Sequence, residues 1–548
     1  MQHHPQHHPQ HHPNDLKFNR WIFPIFMRSD RLDHATTVST SRALRGIALA
    51  IFVALSGWGC TKKAGDDPNT LFVGISAGPA TLDPRFATDA VGMRLGSLLF
   101  SSIVRVGPEL DIIGEAASSW KYDKLTYTFQ LRPGLSFPSA QGDRPMTADD
   151  LIYTFAQAQA DKSPFASALK SIAKVEATYD AKTGGELKLK LSQFSATLLT
   201  DLSTVKILPK NLVEAAGEDF GKKPIGTGPF EFVSADANEI RLKARAGHAY
   251  ATPQVPQVVF KIVREDNTRF LKFIKGELDL IQQDLPPAKI SEIEKRGGFQ
   301  VFKYPGLSMT YILVNLQDPL LKSREAREAI SSALNREEII RFKLESLAQP
   351  ATSILSPANP FHDGTLAPPK FDLELSKSLM KKISSATGGV ELTLKTSNST
   401  QAVENGKVLS HQLDQAGVKT KLQSFEWGTF YDDIKKGNFQ LATMKWVGTT
   451  DPDIYRSAFH SKEKPPGGKN RGGYLNAELD QLVEKGLLIE DHAKRVAHYK
   501  KVQRMIYEDL AIIPLWYEFE VAVVSPKVEG YSPSKNGDFS ALTKLRKK

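Results

Sequence analysis

The sequence predicts an α/β protein, because segments with the two-residue period of strands and segments with the spacing of helices follow one another along the chain. Residues 70–78 are predicted to form a buried strand. Residues 123–131 alternate between apolar and polar side chains, which is typical of a strand with one buried face. Thr147 then precedes Asp149 and Asp150 and an apolar helical pattern, which predicts the start of a helix. A length of 548 residues is enough for several domains.

The same mixture of elements continues to the end of the chain, without a repeat of fixed period. Asn211 and Asn476 are predicted helix starts, and a further helix is expected from Asp491 to about Asp509, where apolar residues recur on one face. Further strands are predicted at residues 258–263, 278–282, 310–314, 392–396, 442–446 and 511–516.

Charge and cysteine content exclude several classes of function. Lys and Arg number 71 and Asp and Glu 61, and only the last six residues resemble a basic tail. Nucleic-acid binders concentrate basic residues on one face or tail, so we expect no nucleic-acid partner. A single cysteine excludes an intramolecular disulfide, a Cys-rich zinc site and an iron–sulfur cluster. The histidines beyond residue 60 lie far apart or on different helix faces, so we expect no metal and no cofactor.

The N-terminus has the order of regions of an exported lipoprotein. Residues 1–59 are predicted to be a disordered His-Pro-rich segment followed by a signal peptide, whose apolar run, 47–55, is too short to span a bilayer. Cys60 follows small residues and resembles a lipobox cysteine, although Gly57 stands where such motifs usually carry Leu. A buried, inert cysteine is the alternative, but a polar tether at 60–70 follows. We therefore predict that Cys60 carries lipid and anchors the protein to a membrane.

One enzyme motif is present without its structural context. The GISAG sequence at 74–78 satisfies the G-x-S-x-G pattern of α/β-hydrolases, with Ser76 as nucleophile. That motif needs a helix directly after the serine, and Pro79 and Pro84 prevent one. The GTG sequence at 226–228 lacks the third glycine of a dinucleotide-binding loop. We predict that the chain is not an enzyme and keep a hydrolase that uses Ser76 as an alternative.

Several short motifs resemble, in order, those of the bacterial solute-binding proteins of the dipeptide, oligopeptide and nickel class, family 5. The resemblance covers residues 71–531, approximately. The motifs are TLDP at 81–84, ASSW at 117–120, YTFQLRPG at 127–134, PMTADD at 145–150, GTGPF at 226–230, NLQ at 315–317 with Arg324 and REAI at 327–330, and GYLN at 473–476 with Asp480, Arg495 and IPL at 513–515.

The resemblance implies a two-lobe periplasmic-binding-protein fold of class II, or cluster C, with an extra small domain in the first lobe. It also implies that two chain crossings, near 304–306 and 511–514, form a hinge between the lobes. The implied divisions are 71–98, 204–302 and 514–548 for the first lobe, 99–203 for the small domain and 303–513 for the second lobe.

The resemblance further implies a lipid-anchored protein that captures a peptide-like small solute between its lobes and delivers it to the permease of an ABC importer. A binding protein that signals to a membrane receptor is the other open alternative, and in either role we expect a monomer. The implied ligand-binding residues are Thr88, Asp89, Ala90, Phe165, Lys445, Trp446, Val447, Gly448, Thr449, Thr450 and Asp451.

One position departs from the pattern of the peptide-binding members. In those proteins an aspartate three residues after the tryptophan binds the α-ammonium of the ligand, whereas this chain has Thr449 three residues after Trp446. Asp451 is a candidate replacement, but Asp451-Pro452 also resembles the start of a helix toward Phe459, and the two roles can coexist. We therefore expect a peptide-like or other polar ligand in which a free α-amino group is not the main determinant.

Overall fold

Helices and strands are mixed from one end of the fold to the other, as the sequence predicts. The computed structural model describes residues 67–87, 89–160, 163–465 and 468–548. The strands up to residue 314 are β1 (Thr70–Ile75), β2 (Val104–Val106), β3 (Ile112–Gly114), β4 (Ala117–Asp123), β5 (Thr126–Leu131), β6 (Ser136–Phe137), β7 (Arg144–Pro145), β8 (Ile172–Asp180), β9 (Gly184–Leu191), β10 (Phe230–Ala235), β11 (Glu239–Ala244), β12 (Gln257–Ile262), β13 (Leu280–Gln282) and β14 (Gln300–Val314). The helices in this part are α1 (Ala90–Leu99), α2 (Ala148–Gln159), α3 (Ala166–Leu169), α4 (Leu198–Leu202), α5 (Lys210–Ala216), α6 (Asp266–Ile274) and α7 (Pro287–Arg296).

The remaining elements continue the same mixture. The strands are β15 (Ala348–Pro350), β16 (Glu391–Ser397), β17 (Lys419–Phe425), β18 (Leu441–Trp446), β19 (Ile512–Val524), β20 (Val528–Glu529) and β21 (Arg546–Lys547). The helices are α8 (Arg324–Ser332), α9 (Arg336–Phe342), α10 (Leu373–Thr387), α11 (Thr400–Gln415), α12 (Trp427–Lys436), α13 (Ile454–Phe459), α14 (Ala477–Gly486) and α15 (His492–Glu508).

The predicted helix starts are confirmed at three positions and wrong at one. Thr147 caps α2 in a capping box, in which its hydroxyl accepts from the backbone of Asp150 and the Asp150 carboxylate accepts from the backbone of Thr147. Asn476 caps α14 and Asp491 caps α15. Asn211 is not a cap, because α5 begins one residue earlier. The backbone nitrogen of Lys210 donates to Asp150 at 2.9 Å, so a carboxylate distant in sequence accepts this bond at the start of α5.

Among the described residues, one sheet of eleven strands connects the two halves of the fold. Its order is β10-β11-β12-β1-β13-β19-β14-β18-β16-β17, with β15 also paired to β19. Strands β12, β1 and β13 run parallel, as do β17, β16 and β18. The two long strands β14 and β19 run antiparallel to each other and join these two groups. From their registers with β14 and β19, the carboxyl ends of β13 and β18 point toward each other, across the middle of the long strands.

Separate hydrophobic cores lie on the two sides of this junction. We call the side of β1 the first lobe and the side of β18 the second lobe. Leu71 and Phe260 belong to the core of the first lobe, and Leu394 and Leu441 to a core of the second lobe. A small domain, built on the separate sheet β4-β5-β9-β8, has its own core around Phe129.

The position of the second crossing differs from the expectation. Residues 514–548 were expected in the first lobe, but Leu515 and Trp516 pack in the core of the second lobe. Strand β19 is continuous and apolar on both sides of the junction, so the sequence contains no break that marks it. In the first crossing, the pairing of β14 with β19 is irregular between Pro305 and Met309, which overlaps the segment predicted as a hinge.

Candidate ligand-binding cleft

The facing carboxyl ends of the two parallel groups define the candidate cleft. In open α/β sheets, ligands bind outside the carboxyl ends of the strands. Here those ends come from both lobes, and the middle parts of β14 and β19 lie between them. We call these middle parts, residues 303–309 and 517–521, the cleft floor.

At the edge contributed by the first lobe, two of the predicted residues begin helix α1. The Asp89 carboxylate accepts from the backbone of Gly92 at 2.8 Å and of Ala80 at 3.2 Å, so it caps the helix. Ala90 is exposed in the first turn, and Thr88 lies outside the described residues. One turn further, Arg94 donates to the side-chain oxygen of Gln283, which follows the carboxyl end of β13.

The edge contributed by the second lobe contains Lys445 and Trp446 at the end of β18. Lys445 forms an ion pair with Glu518 of the cleft floor, and the hydroxyl of Thr310 donates to the same carboxylate at 2.8 Å. The Trp446 ring is parallel to that of Tyr311, with ring centroids 6.1 Å apart. Val447 is 57% exposed, which makes it the most accessible apolar side chain of this segment.

The loop after Trp446 is held by side chains from elsewhere in the second lobe. The Asn359 amide donates to the carbonyl oxygens of Thr449 at 3.2 Å and Thr450 at 2.9 Å. Gly448 adopts φ +60°, a conformation that favours glycine, and its neighbour Thr449 is buried. The backbone of this loop is therefore fixed without a ligand.

Asp451 is committed to bonds within the protein. Arg495 donates to both carboxylate oxygens, at 2.9 and 3.3 Å, and the backbone nitrogen of Asp453 donates at 2.8 Å. Helix α13 starts two residues later than expected, so Asp453 and not Asp451 is its cap residue. Arg495 is 44 residues away in sequence, which is why local reasoning missed this ion pair.

Phe165 lies in the small domain. It precedes α3 and is partly buried against the core of that domain. Together with Pro84 and Arg85 of the first lobe it lines a small cavity. The structure therefore places Phe165 at the junction between the small domain and the first lobe.

Two glutamates of the cleft floor were missed by the sequence analysis. Glu518 and Glu520 point to the same face of β19, where burial raises the pKa of Glu520 to about 7, although Arg94 and Lys445 act to lower it. Burial also acts to raise the pKa of Glu518, but Lys445 and the bond from Thr310 outweigh it and hold that pKa below its usual value. Two charged residues within an otherwise apolar strand are the signal that could have identified them.

The small domain also contacts the second lobe away from the cleft floor. The backbone nitrogen of Ala196 donates to the carbonyl oxygen of Leu487 at 3.0 Å. The pKa of Asp201 in α4 is raised to about 7, mainly by burial and also by the nearby charges of Asp451 and Asp453 of the second lobe. Strands β14 and β19 are therefore not the only connection to the second lobe among the described residues, because the small domain contacts it as well.

Ser76 does not have the surroundings of a hydrolase nucleophile. Its hydroxyl donates to Asp284 at 2.8 Å and its backbone nitrogen donates to the same carboxylate at 3.1 Å. After β1 ends at Ile75, the next helix begins only at Ala90, so the strand–turn–helix arrangement of the motif is not formed.

The described ranges contain neither a cluster of metal ligands nor a membrane-spanning helix. Within them, no group of three or more His, Cys, Asp or Glu side chains is placed to hold a metal ion. No helix of that part of the chain is long and apolar enough to cross a membrane.

The family of this chain follows from its similarity to known proteins. The profile described as bacterial extracellular solute-binding proteins, family 5 Middle, matches residues 111–466. This chain belongs to that family. The family resemblance predicted from the motifs is therefore confirmed. The relatives are solute-binding proteins and not enzymes, which is consistent with the prediction that this chain is not an enzyme.

Individual relatives extend the similarity over most of the chain. The dipeptide-binding protein of Escherichia coli K12 is 24% identical over 86% of this chain and 93% of its own length. The oligopeptide-binding protein AppA of Bacillus subtilis 168 is 25% identical over 91% of this chain and 96% of its own.

Solved structures establish the fold of family 5 binding proteins for this chain. The ABC transporter substrate-binding protein CtaP of Listeria monocytogenes superposes with a TM-score of 0.77 at 26% identity, covering 88% of this chain and 100% of CtaP. The periplasmic binding protein DppA of Helicobacter pylori, solved with the peptide STSA, also gives a TM-score of 0.77 at 23% identity, covering 87% and 98%. The predicted two-lobe α/β binding-protein fold is confirmed.

Proposed function

We propose that this protein is the substrate-binding component of an ABC importer, which captures a peptide-like small solute between its two lobes and delivers it to the permease. The observation that carries the proposal is the cleft itself, where the carboxyl ends of two parallel strand groups face each other across β14 and β19. The relatives named dipeptide- and oligopeptide-binding proteins, and a neighbour solved with a peptide, support a peptide-like ligand.

Ligand capture proceeds by closure of the lobes. A ligand that contacts both lobes binds the closed form more tightly than the open one, and this difference in affinity drives closure. Strands β14 and β19 are the hinge, with the irregular pairing between Pro305 and Met309 as its most deformable part. We expect the contact between Ala196 and Leu487 to be kept in the closed form, because it joins the small domain to the second lobe.

The ligand lies between the two edges already described. Residues 88–90 of the first lobe contribute backbone groups, and residues 445–451 of the second lobe form the facing wall. Trp446 and Val447 supply apolar surface there, while the backbone of Thr449 and Thr450 is held in place by Asn359. Phe165 borders the cleft from the small domain.

Binding without chemistry is the decisive test. Purified protein incubated with a peptide library is dialysed and analysed by native mass spectrometry, and its radius of gyration is measured by X-ray scattering. We expect retained, unaltered peptides and a smaller radius of gyration with ligand. Recovery of cleaved peptides would contradict the proposal. Unchanged peptide uptake in a strain that lacks this protein and in a strain that lacks the partner permease would contradict it as well.

Lipid attachment at Cys60 keeps the monomeric protein beside its importer. The cysteine follows the apolar run of the signal segment, and it lies outside the described residues. Cells labelled with a fatty acid should yield a labelled wild-type protein and an unlabelled Cys60→Ala variant released from the membrane fraction. An unlabelled wild type in the soluble fraction would show that the anchor is absent.

A further inference from the structure

The small domain touches the second lobe at a place apart from the two crossing strands. The backbone nitrogen of Ala196 donates to the carbonyl oxygen of Leu487 at 3.0 Å. Close to this bond, burial raises the pKa of Tyr122 in β4, and the charge of Glu490 in the second lobe raises it as well. We call this region, formed by Tyr122 and residues 194–201 on one side and residues 451–456 and 487–490 on the other, the small-domain contact.

The small domain is bonded firmly to the first lobe. Arg245, which follows β11, donates to the carbonyl oxygen of Ser136 at 2.9 Å. The backbone nitrogen of Lys210 in α5 donates to the carboxylate of Asp150 in α2 at 2.9 Å. Separation of the lobes therefore carries the small domain away from the second lobe and breaks the small-domain contact.

Three carboxylates meet at the small-domain contact. Asp201 of α4 lies on the side of the small domain, and Asp451 and Asp453 lie on the side of the second lobe, close enough for their charges to act on Asp201. We call these three residues the acid cluster. Like charges at short distance disfavour each other, so the contact is weaker when Asp201 is charged than when it is protonated.

The two arginines beside the acid cluster are bonded within the second lobe. Arg495 donates to both carboxylate oxygens of Asp451, at 2.9 and 3.3 Å. Arg456 donates to Asp453 at 2.9 Å and forms a second ion pair with Glu463. Both cations therefore serve acids of their own lobe.

Asp201 has no cation of its own. Among the described residues it forms no ion pair, and the hydroxyl of Thr197 donates to its carboxylate at 2.6 Å. The charged groups that act on it are the two other acids of the cluster and Arg456. Helix α4 also packs on α3, which contains no titratable side chain, and on β2, whose charged residue Arg105 acts on Glu115.

We propose that the acid cluster is a proton-dependent latch on lobe closure: protonated Asp201 keeps the small domain against the second lobe, and charged Asp201 weakens this contact and favours the open cleft. The inference deepens the proposed function, because it assigns a regulation to the same cleft, and it rests on the proposed closure of the lobes.

Closure and proton binding at Asp201 are linked. In the contact, burial and the two neighbouring aspartates raise the pKa of Asp201 to about 7. In the open form water reaches this carboxyl group and the other acids are distant, so its pKa returns toward the usual value of 3.8. The stability that the proton gives to the contact is complete below the open-form pKa and is lost as the pH rises through about 7. The ratio of closed to open molecules should therefore fall about tenfold from pH 6 to pH 8.

The test follows the contact through the distance between two spin labels. The full chain with Cys60→Ala contains no cysteine, so labels can be attached at Lys182→Cys in the small domain and Lys464→Cys in the second lobe, both at exposed positions. We call this labelled protein the parent. Electron paramagnetic resonance gives its distance distribution without ligand at a series of pH values from 6 to 8. We expect the ratio of short to long distances to be about tenfold larger at pH 6 than at pH 8.

Four variants of the parent assign the response to one group. Asp201→Asn cannot lose a proton and should keep the ratio of pH 6 at every pH. Thr197→Ala removes the hydrogen bond that favours charged Asp201, so the midpoint of the response should move to higher pH. The control Asp219→Asn changes an exposed acid of the first lobe and should respond like the parent. Glu520→Gln removes the cleft-floor carboxyl group whose pKa is also about 7, and the response should persist in it.

The outcomes separate the latch from the proposed function. A parent whose distances do not change with pH overturns the latch, and so does a response that persists in Asp201→Asn or disappears in Glu520→Gln. If Asp201→Asn fails to fold, the midpoint in Thr197→Ala decides, and an unmoved midpoint overturns the latch. A library of dipeptides and tripeptides should shorten the distance in the parent whatever its response to pH. If neither pH nor the library changes the distance, the proposed closure around a peptide is wrong and the latch falls with it.

Discussion

Asp451 and Glu520 are both acids on the cleft side of the fold, and their surroundings differ in the number of partners. Asp451 accepts from Arg495 with both oxygens and from the backbone of Asp453. Glu520 is more deeply buried, yet its Oε2 atom lacks a hydrogen bond within the described residues and its pKa is raised to about 7. The difference shows that an acidic side chain in the cleft is not by itself evidence of a ligand-binding residue. A carboxylate whose hydrogen bonds are complete stabilises the fold in its charged form, whereas burial without a partner disfavours the charged form of Glu520.

The largest expected effect comes from breaking the ion pair between Arg495 and Asp451. Arg495→Ala leaves Asp451 partly buried without its cation, and removing one partner of a buried ion pair costs about 3 to 5 kcal/mol. Arg495 also stacks over Phe361 and Tyr499, so packing is lost with the charge. The free energy of unfolding, measured by urea titration, should fall by that amount.

An exposed pair serves as the control for this measurement. Lys436→Ala removes an ion pair with Asp432 in which both side chains are exposed, and we expect no measurable change in the free energy of unfolding. If Arg495→Ala behaves like this control, the Asp451 pair is not a structural element and the comparison with Glu520 loses its basis.

The next effect concerns Glu520, whose Oε2 atom lacks a hydrogen bond within the described residues, and it depends on pH. The pKa of Glu520 is raised in the folded state from 4.5 to about 7, so between these values the folded protein holds a proton that the unfolded chain has lost. The contribution of Glu520 to stability is therefore complete below the unfolded pKa and is lost as the pH rises through about 7. Glu520→Gln removes this dependence.

Unfolding of the wild type and of Glu520→Gln is to be compared at pH 5 and pH 8. Relative to the variant, the wild type should lose about 2 to 3 kcal/mol of unfolding free energy between these conditions. Because other groups titrate equally in both proteins, the difference isolates Glu520. A difference that does not change with pH would mean that Glu520 stays charged in the fold and has a partner.

The smallest effect tests a third carboxylate, Asp150, whose bonds are complete and partly local. Its oxygens accept from Thr147, from the backbone of Lys210 and from Arg144. Thr147→Ala removes the hydroxyl of the capping box and should lower the free energy of unfolding by about 1 kcal/mol. Thr147→Ser keeps the hydroxyl and should restore most of the stability. Equal losses in both variants would show that the cap bond contributes nothing.

The sequence by itself determined the local elements and the family. Apolar alternation predicted strands such as β5 and β18, and the hydroxyl and carboxylates of residues 147–150 predicted the start of α2, because these signals act within a few residues. The ordered motifs resembled the binding-protein family over residues 71–531, approximately, and the family profile matches residues 111–466. The resemblance to the family also implied that residues 445–451, at the end of β18 and in the loop after it, border the cleft.

Only the tertiary structure decided which polar groups are left without partners. Asp451 meets Arg495, Lys210 meets Asp150, and Glu520 lies beside Gln283 and Gly537, and in each case the contacts join segments far apart in sequence. No local pattern encodes such pairs, because burial and hydrogen bonding depend on which elements the sheet brings side by side. The middle of β19 shows this most clearly. Its sequence is a continuous strand, and the lobes on either side of it determine where the chain crosses and which of its two glutamates stays unpaired.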